Sequence, residues 1–310
     1  MSAVNGNIEE LETPAAAAVK VETPLRRFIS DFSESKLAVC SFFVVLVIVF
    51  IAVFAPLLSP TDPYDLTTVT VENKTIHPGG VIKSGSVAHL GTDGAGRDML
   101  SSIIYGLRIS LTVGIGSGVI ALIIGVTAGL TAAFVGGRVD SLIMRLVDIQ
   151  LSFPAILIAL VLLATLGKGV DKTIIALIVV QWAYYARTVR GSALVERRKE
   201  YIESAICLAL SKPRIIFTHL FPNVVAPIIV VGTMQTAHAI SLEATLSFLG
   251  LGLPQTEPSL GSLIANGFEY VHSGHFWIVT FPGVALLVTI VSINLVGDRL
   301  RDVLNPRLQK

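Results

Sequence analysis

Residues 190–222 read RGSALVERRKEYIESAICLALSKPRIIFTHLFP, the one long charged segment between two apolar runs that could each cross a bilayer. With Arg187 just before it, this segment carries seven of the chain's 23 Lys and Arg residues. Such a density of positive charge between two spans is typical of a cytoplasmic loop. We therefore predict that residues 190–222 form a cytoplasmic loop.

This loop is also predicted to be folded. Residues 195–210 contain no Pro or Gly, and their apolar side chains follow helical spacing at Ile202, Ala205, Ile206, Ala209 and Leu210. A helix should end at Ser211-Lys212-Pro213, and Pro213 suits the first turn of a second short helix, where its missing amide is not needed. The pattern predicts a helix, a turn and a second helix lying against the membrane.

Composition places the chain in a membrane. Of its 310 residues 53% are hydrophobic and only 15% are charged, whereas soluble domains contain about a quarter charged residues. The apolar residues are gathered into long runs without charge, as membrane spans require. Because backbone polar groups find no partner in lipid, such runs are expected to be helices. We predict an all-α, polytopic membrane protein.

The loop resembles the EAA loop of binding-protein-dependent ABC importer permeases. In that family E-A-A is followed by three residues, Gly, nine residues and I-x-L-P. Here the spacing from Glu to Pro runs from Glu203 to Pro222. Ser204 stands at the middle Ala of E-A-A, and Ala209 stands at the Gly. The resemblance implies that the loop docks on ATPase subunits through Glu203, Ser204, Ala205, Ala209, Ser211, Arg214 and Pro222.

Residues 89–101, HLGTDGAGRDMLS, resemble the L-G-T-D-x-x-G-R-D-x-L-S segment of the dipeptide, oligopeptide and nickel permease subfamily, in its C-type subunit. Residues 240–252, 258–267 and 297–307 also resemble this subfamily. Asp93 and Asp98 have no His or Cys at ligand spacing, so we interpret them as turn and helix-capping residues, not as a metal or catalytic site. The resemblance covers most of the chain and implies the type I ABC importer (MetI-like) fold with six transmembrane helices.

The predicted organisation has two parts. Residues 1–34 form a cytoplasmic tail with an interfacial helix, and residues 35–310 form the permease domain. The predicted spans are about 37–58, 109–134, 149–167, 173–189, 224–246 and 276–296. Outer segments are predicted at 62–108 and 253–275, with a small hairpin or a loose loop in the first and a re-entrant or surface helix in the second.

Counting charges supports both termini on the cytoplasmic side. The predicted outer segments and turns hold six of the 23 Lys and Arg residues, and the predicted cytoplasmic parts hold the other 17. An excess of Lys and Arg in cytoplasmic segments is the usual orientation signal. We therefore predict a multi-pass protein of the bacterial cytoplasmic (inner) membrane.

Four polar residues in predicted spans are candidates for the translocation pathway or its gate: Gln181, Gln235, His238 and Glu243. An ionisable group inside a span is a functional candidate by default. Glu243 either lines the route or is a structural hydrogen-bond acceptor. For Gln181 and His238 a helix-to-helix hydrogen bond is the competing interpretation.

The chain lacks a G-x-x-x-x-G-K-[ST] phosphate-binding loop and shows no nucleophile–base set, so we do not expect it to be an enzyme. The resemblance implies that ATP and Mg²⁺ bind to two partner ABC ATPase subunits and that this chain itself binds no cofactor or metal. It further implies a second, B-type permease, an extracytoplasmic solute-binding protein and a peptide substrate, in the lipid bilayer and without nucleic acid. The alternative is an ATPase-independent secondary transporter or channel for small solutes.

Overall fold

The computed structural model describes residues 23–65, 69–83 and 85–304, and this part of the chain is mostly helical. Its helices are α1 (Pro24–Ser33), α2 (Lys36–Val53), α3 (Ala55–Leu58), α4 (Met99–Val135), α5 (Gly137–Leu151), α6 (Ala155–Leu166), α7 (Val170–Glu196), α8 (Glu200–Cys207), α9 (Lys212–Arg214), α10 (Phe221–Phe248), α11 (Leu260–Phe268) and α12 (Trp277–Leu304). A π-helical segment, Ile215–Leu220, joins α9 to α10. The predicted all-α class is confirmed.

Four stretches of the described chain are both long and apolar enough to cross a membrane: Lys36–Val53, Met99–Val135, Lys212–Phe248 and Trp277–Leu304. Helices α5 and α6 together would make a fifth span, although they are bent by 88° to each other. At 1.5 Å per residue α7 is about 40 Å long, but Gln181, Tyr184 and Arg187 make it more polar than these stretches. The count of six spans therefore stays a prediction.

The bend between α5 and α6 changes the predicted third span, 149–167. Pro154 lies at the N-terminus of α6, where a missing amide is tolerated, and the chain between Leu151 and Ala155 is not helical. The apolar helix α6 is only about 18 Å long, shorter than the ~30 Å hydrocarbon core. Helix α5 is a separate element that ends at Leu151, before this bend.

Close packing of α4 on α7 forms the centre of the bundle. A Cβ added at Gly125 would lie 2.6 Å from the Trp182 carbonyl oxygen, and one at Gly129 would lie 2.6 Å from that of Ala186. Small residues permit such close backbone approach between membrane helices. Gly125 and Gly129, which form a G-x-x-x-G pair, therefore serve the packing of the bundle core.

The first predicted outer segment is a compact fold of turns. A two-stranded antiparallel hairpin, β1 (Gly80–Val81) and β2 (Val87–Ala88), lies within it. The buried Asp93 carboxylate accepts a 2.7 Å hydrogen bond from Arg97 Nε, and Asp98 caps α4 by accepting from the Ser101 amide at 2.8 Å. Both aspartates act as the turn and capping residues that the sequence predicts.

Helix α11 is the helix predicted within 258–267. Ser259 and Ser262 form a reciprocal capping box at its start. Leu260 and Leu263 are fully buried, and a Cβ added at Gly261 would lie 2.5 Å from the Ala244 carbonyl oxygen. α11 is thus packed against α10, and it is not an exposed surface helix.

Two predicted boundaries in the 190–222 loop are wrong. The helix predicted over 195–210 is broken at residues 197–199, between α7 and α8. The second helix is not short, because it continues through the π-helical segment into α10. The predictions made on residues 1–22, on Thr67 and Thr68, and on the C-terminal residues 305–310 lie outside the described residues.

Candidate functional site

Helix α8 presents one face to the bundle and the other to solvent. Ile202 and Ala205 are buried in a hydrophobic cluster with residues of α4, α7 and α10. Glu203 and Ser204 are exposed on the opposite side. The helix is therefore held by its apolar side while its motif residues remain available to a partner.

A Schellman motif ends α8. The Ala209 amide donates to the Ile206 carbonyl at 2.9 Å, and the Leu210 amide donates to the Ala205 carbonyl at 3.2 Å. This pattern requires a left-handed residue after the helix, usually Gly. Ala209 adopts that conformation with φ of 52°. The position where the family pattern has Gly is thus a true left-handed cap, occupied here by a residue with a Cβ.

The start of α8 is tied to the end of α7 by a polar cluster. The largely buried Glu196 carboxylate accepts hydrogen bonds from the Tyr201 hydroxyl at 2.5 Å and from Lys199 Nζ at 2.8 Å. Burial by itself raises the pKa of Glu196, but the hydrogen bonds from Lys199 and Tyr201 outweigh burial and leave this pKa lowered. Burial and the bond to Glu196 raise the pKa of Tyr201.

Arg197 fixes the break between α7 and α8. Its guanidinium donates a 2.7 Å hydrogen bond to the Ala133 carbonyl at the end of α4 and lies 5.7 Å from the centre of the Phe134 ring. Glu196, Arg197 and Tyr201 are not among the functional residues predicted from the sequence. The charge density of this stretch was visible in the sequence, but partners some sixty residues away were not.

The remaining predicted coupling residues lie on the exposed side of the loop. Ser211, Arg214 and Pro222 are exposed, and Ser211 precedes α9. Large apolar side chains lie exposed beside them, namely Ile206 (51%), Leu208 (74%) and Phe217 (65%). We name this surface, Glu203, Ser204, Ile206, Leu208 and Phe217, the loop face. Exposed apolar area of this kind marks an interaction site more often than a solvent surface.

Gln181 and Gln235 are buried polar residues in the bundle. Gln181 Nε2 donates to the Ser117 hydroxyl of α4 at 3.2 Å, which is the helix-to-helix bond weighed in the sequence analysis. Gln181 Oε1 and Gln235 Nε2 have no hydrogen-bond partner within the described residues. Buried amide atoms without partners are costly, so these two are the sites where a bound solute or water would be stabilised.

His238 is exposed on α10, and no hydrogen bond of its ring to another helix is found in the described chain. Its ring lies edge-on to that of Tyr184 on α7, with 6.4 Å between centroids. Tyr184 is 38% exposed. The two rings form an accessible polar and aromatic surface where α7 and α10 meet.

Glu243 is fully buried and satisfied by hydroxyl groups. Its carboxylate oxygens accept from Ser110 of α4 at 2.9 Å and from Ser247 of α10 at 2.8 Å, and Ser259 at the start of α11 also bonds to it. Within the described residues, no Lys or Arg side chain forms a salt bridge with Glu243. The geometry favours the interpretation of Glu243 as a structural acceptor, with serine hydroxyls as its donors.

A cavity of about 1030 Å³ opens beside α5 and α7. Asp140 and Arg190 form a bidentate pair at its wall, with N–O distances of 2.5 and 2.6 Å. Arg138, Arg145 and Asp148 also line it. Within the described chain, no group of three or more His, Cys, Asp or Glu side chains is placed to hold a metal ion.

A family described as "Binding-protein-dependent transport system inner membrane component" matches residues 121–310, and one described as "N-terminal TM domain of oligopeptide transport permease C" matches residues 23–75.

Among curated relatives, the chain is 37% identical over 288 residues to the di/tripeptide transport system permease protein DppC of Pseudomonas aeruginosa, covering 93% of both chains. It is 39% identical over 289 residues to the dipeptide transport system permease protein DppC of Escherichia coli, covering 93% of this chain and 95% of the relative.

Among solved structures, inward-facing conformations of the MetNI methionine ABC transporter contain a chain of similar fold. The TM-score is 0.56 at 20% identity, and the match covers 67% of this chain and 98% of that one. This similarity concerns the fold, and it agrees with the MetI-like architecture that the sequence predicts.

Proposed function

Because this chain belongs to the family of binding-protein-dependent transport system inner membrane components, the ABC importer permeases, we propose that it carries di- and oligopeptides across the inner membrane. Its relatives named above are permeases for dipeptides and tripeptides. It would form one half of the translocation pathway, and a homologous B-type permease would form the other. A solute-binding protein outside the membrane would deliver the peptide.

One observation carries the coupling part of this proposal, namely that α8 is anchored on one side and open on the other. Ile202 and Ala205 fix the helix to the bundle, while Glu203 and Ser204 point to solvent. A helix so arranged can transmit movement, because force applied to its outer face reaches α4, α7 and α10 through its buried face. The loop face is the surface on which one of the two partner ABC ATPase subunits would dock.

The transport cycle follows from two-state logic. ATP and Mg²⁺ would bind to the partner ATPases, whose closure would move α8 as a rigid lever. Since the π-helical segment runs without a break into α10, the movement passes directly to a helix that carries His238 and Gln235. ATP can shift the equilibrium between the two states of the transporter only if it makes different contacts in each state.

The pathway is proposed to run along the surface shared by α7 and α10. His238 and Tyr184 are accessible there, and the unpaired amide atoms of Gln181 and Gln235 lie buried nearby in sequence on the same helices. The amide groups of Gln181 and Gln235 and the imidazole of His238 can form hydrogen bonds with the backbone of a peptide and with either of its charged termini. The four exposed cations Arg198, Lys199, Lys212 and Arg214 either pair with the ATPases or hold the loop to anionic lipid.

The coupling role is tested by the substitution Glu203→Lys, assayed by uptake of a labelled dipeptide into cells. Reversing the charge on the loop face should abolish uptake while insertion of the chain into the membrane is unchanged. A matched control is Asp302→Lys, the same charge change on an exposed residue of α12. Uptake by Glu203→Lys equal to that of the control would contradict the coupling role.

A further inference from the structure

A second groove, unrelated to the loop face, lies between α10 and α12 at the ends that the sequence predicts to be cytoplasmic. Its volume is about 380 Å³. Its walls are apolar except for one arginine, and they are formed by Ala226, Pro227, Val230, Val231, Met234, Arg301 and Leu304.

The groove is closed toward the membrane interior and open toward the predicted cytoplasmic surface. At Gly297 the two helices are in contact, since an added Cβ would lie 3.3 Å from Thr233 Cγ2 and 3.5 Å from Met234 Cγ. From Ala226 to Met234 the wall of α10 is about 12 Å long at 1.5 Å per residue. That length fits the upper part of a lipid acyl chain.

The charge at the mouth is not neutralised by the described part of the protein. Arg301 is exposed, and no carboxylate of the described residues lies within 4 Å of its guanidinium. Its neighbour Arg299, in contrast, lies 3.3 Å from the Glu34 carboxylate and donates to the Asp31 carbonyl. Arg299 therefore holds α1 to α12, whereas Arg301 is left to a partner from outside.

We propose that this groove binds one anionic phospholipid of the inner leaflet. The phosphate would accept hydrogen bonds from the Arg301 guanidinium, which matches phosphate geometry, and an acyl chain would cover Val230 and Val231. The cytoplasmic leaflet is the one rich in anionic lipid. An apolar groove with a single cation at its rim complements an anionic amphiphile, which can pair with the cation and cover the apolar wall. An apolar protein segment bound in the groove would leave Arg301 without a negatively charged partner.

Such a lipid would act on the helix that continues the 190–222 loop. It bridges α10 to α12, so its binding stabilises the packing of these two helices. This inference depends on the chain spanning a membrane and not on the identity of the transported solute. Loss of peptide uptake alone would therefore leave it untouched.

The experiment is native mass spectrometry of the full chain in mild detergent, titrated with phosphatidylglycerol or phosphatidylethanolamine of identical acyl chains. Phosphatidylglycerol should bind more tightly, because the phosphate charge of phosphatidylethanolamine is offset by its ammonium group. Arg301→Gln should weaken phosphatidylglycerol binding by about fivefold and phosphatidylethanolamine binding by less. Arg145→Gln removes an exposed arginine of α5 and should have no effect. Val231→Trp fills the groove and should reduce binding of both lipids.

Three results would overturn the proposal. The two lipids could bind alike, with no effect of Arg301→Gln. Soluble glycerol phosphate could compete as well as the lipid, which would assign the site to a free anion. A photo-crosslinker placed at Val231 in the assembled transporter could capture another protein subunit, which would make the groove a subunit contact.

Discussion

Replacing Ala209 by Gly should stabilise the end of α8. Ala209 has φ of 52°, and the left-handed conformation costs a residue with a Cβ roughly 1–2 kcal/mol. Glycine loses more chain entropy on folding, which offsets about 0.4–1 kcal/mol of that gain. The net effect is a stabilisation of about 0.5–1 kcal/mol, because the Schellman hydrogen bonds of Ala209 and Leu210 remain in place.

Hydrogen exchange of the purified full chain measures this effect where it arises. The amides of Ala209 and Leu210 both close the cap, so an Ala209→Gly variant should exchange them about two to five times more slowly. Ser204→Gly is the matched control. Ser204 is an exposed residue inside α8, where Gly destabilises by roughly 0.5–1 kcal/mol, and exchange should become faster.

The reasoning would be refuted if Ala209→Gly left exchange at the cap unchanged or made it faster. That result would mean that the backbone at 209 is not left-handed in the protein. It would also remove the argument that the family's Gly position is a cap. Faster exchange in both variants would show only that glycine loosens this helix.

Three further predictions concern the buried contacts. Glu243→Gln and Ser110→Ala should each retain uptake but lower the midpoint of thermal unfolding by a few degrees, because each variant loses about 1 kcal/mol of hydrogen bonding. Loss of uptake in Glu243→Gln at an unchanged midpoint would instead assign Glu243 to the pathway. Gly129→Leu should abolish assembly of a folded chain, measured by detergent gel filtration, because its Cβ alone would lie 2.6 Å from a carbonyl oxygen of α7. Because the pKa of Glu196 is lowered in the folded protein, its ionised carboxylate stabilises α8 above the ordinary carboxyl pKa near 4.3, and this stabilisation is lost as pH falls through the lowered pKa. Local opening of α8, measured by hydrogen exchange, should therefore increase below about pH 4.3. Glu196→Gln should remove that pH dependence.

Periodicity and charge predicted much of the fold. The apolar runs around residues 37–58 and 276–296 became α2 and α12, and the capping roles of Asp93 and Asp98 followed from short Asp/Gly turns. These features depend on neighbours close in sequence. Local signals are sufficient where the partner of a residue lies within one helical turn.

The break in the 190–222 loop could not be predicted in this way. Nothing in residues 195–210 disfavours a helix, and the break is fixed by Arg197 reaching the Ala133 carbonyl. Pro222 likewise did not end the helix. The π-helical segment before it, in which the Phe221 amide bonds to the Ile216 carbonyl, accommodates the missing proline amide so that α10 continues.

The candidate pathway was only partly foreseen. Gln181, Gln235, His238 and Glu243 stood out as polar residues in apolar runs, but the sequence did not say which of them are accessible. Burial separates them, because His238 is exposed beside Tyr184 while Glu243 is enclosed by three serines from α4, α10 and α11. Such a distinction depends on contacts between separate helices, such as the one between Ser110 and Glu243, which are 133 residues apart in sequence.

The most direct test of the account is purification of this chain from its own host in mild detergent, with mass spectrometry of the proteins that accompany it. We expect a second permease and one or two ATPases containing phosphate-binding loops, and we expect Glu203→Lys to release the ATPases while retaining the permease. Recovery of the wild-type chain alone, in detergent that keeps other membrane complexes intact, would contradict the account and favour a transporter that works without ATPase subunits.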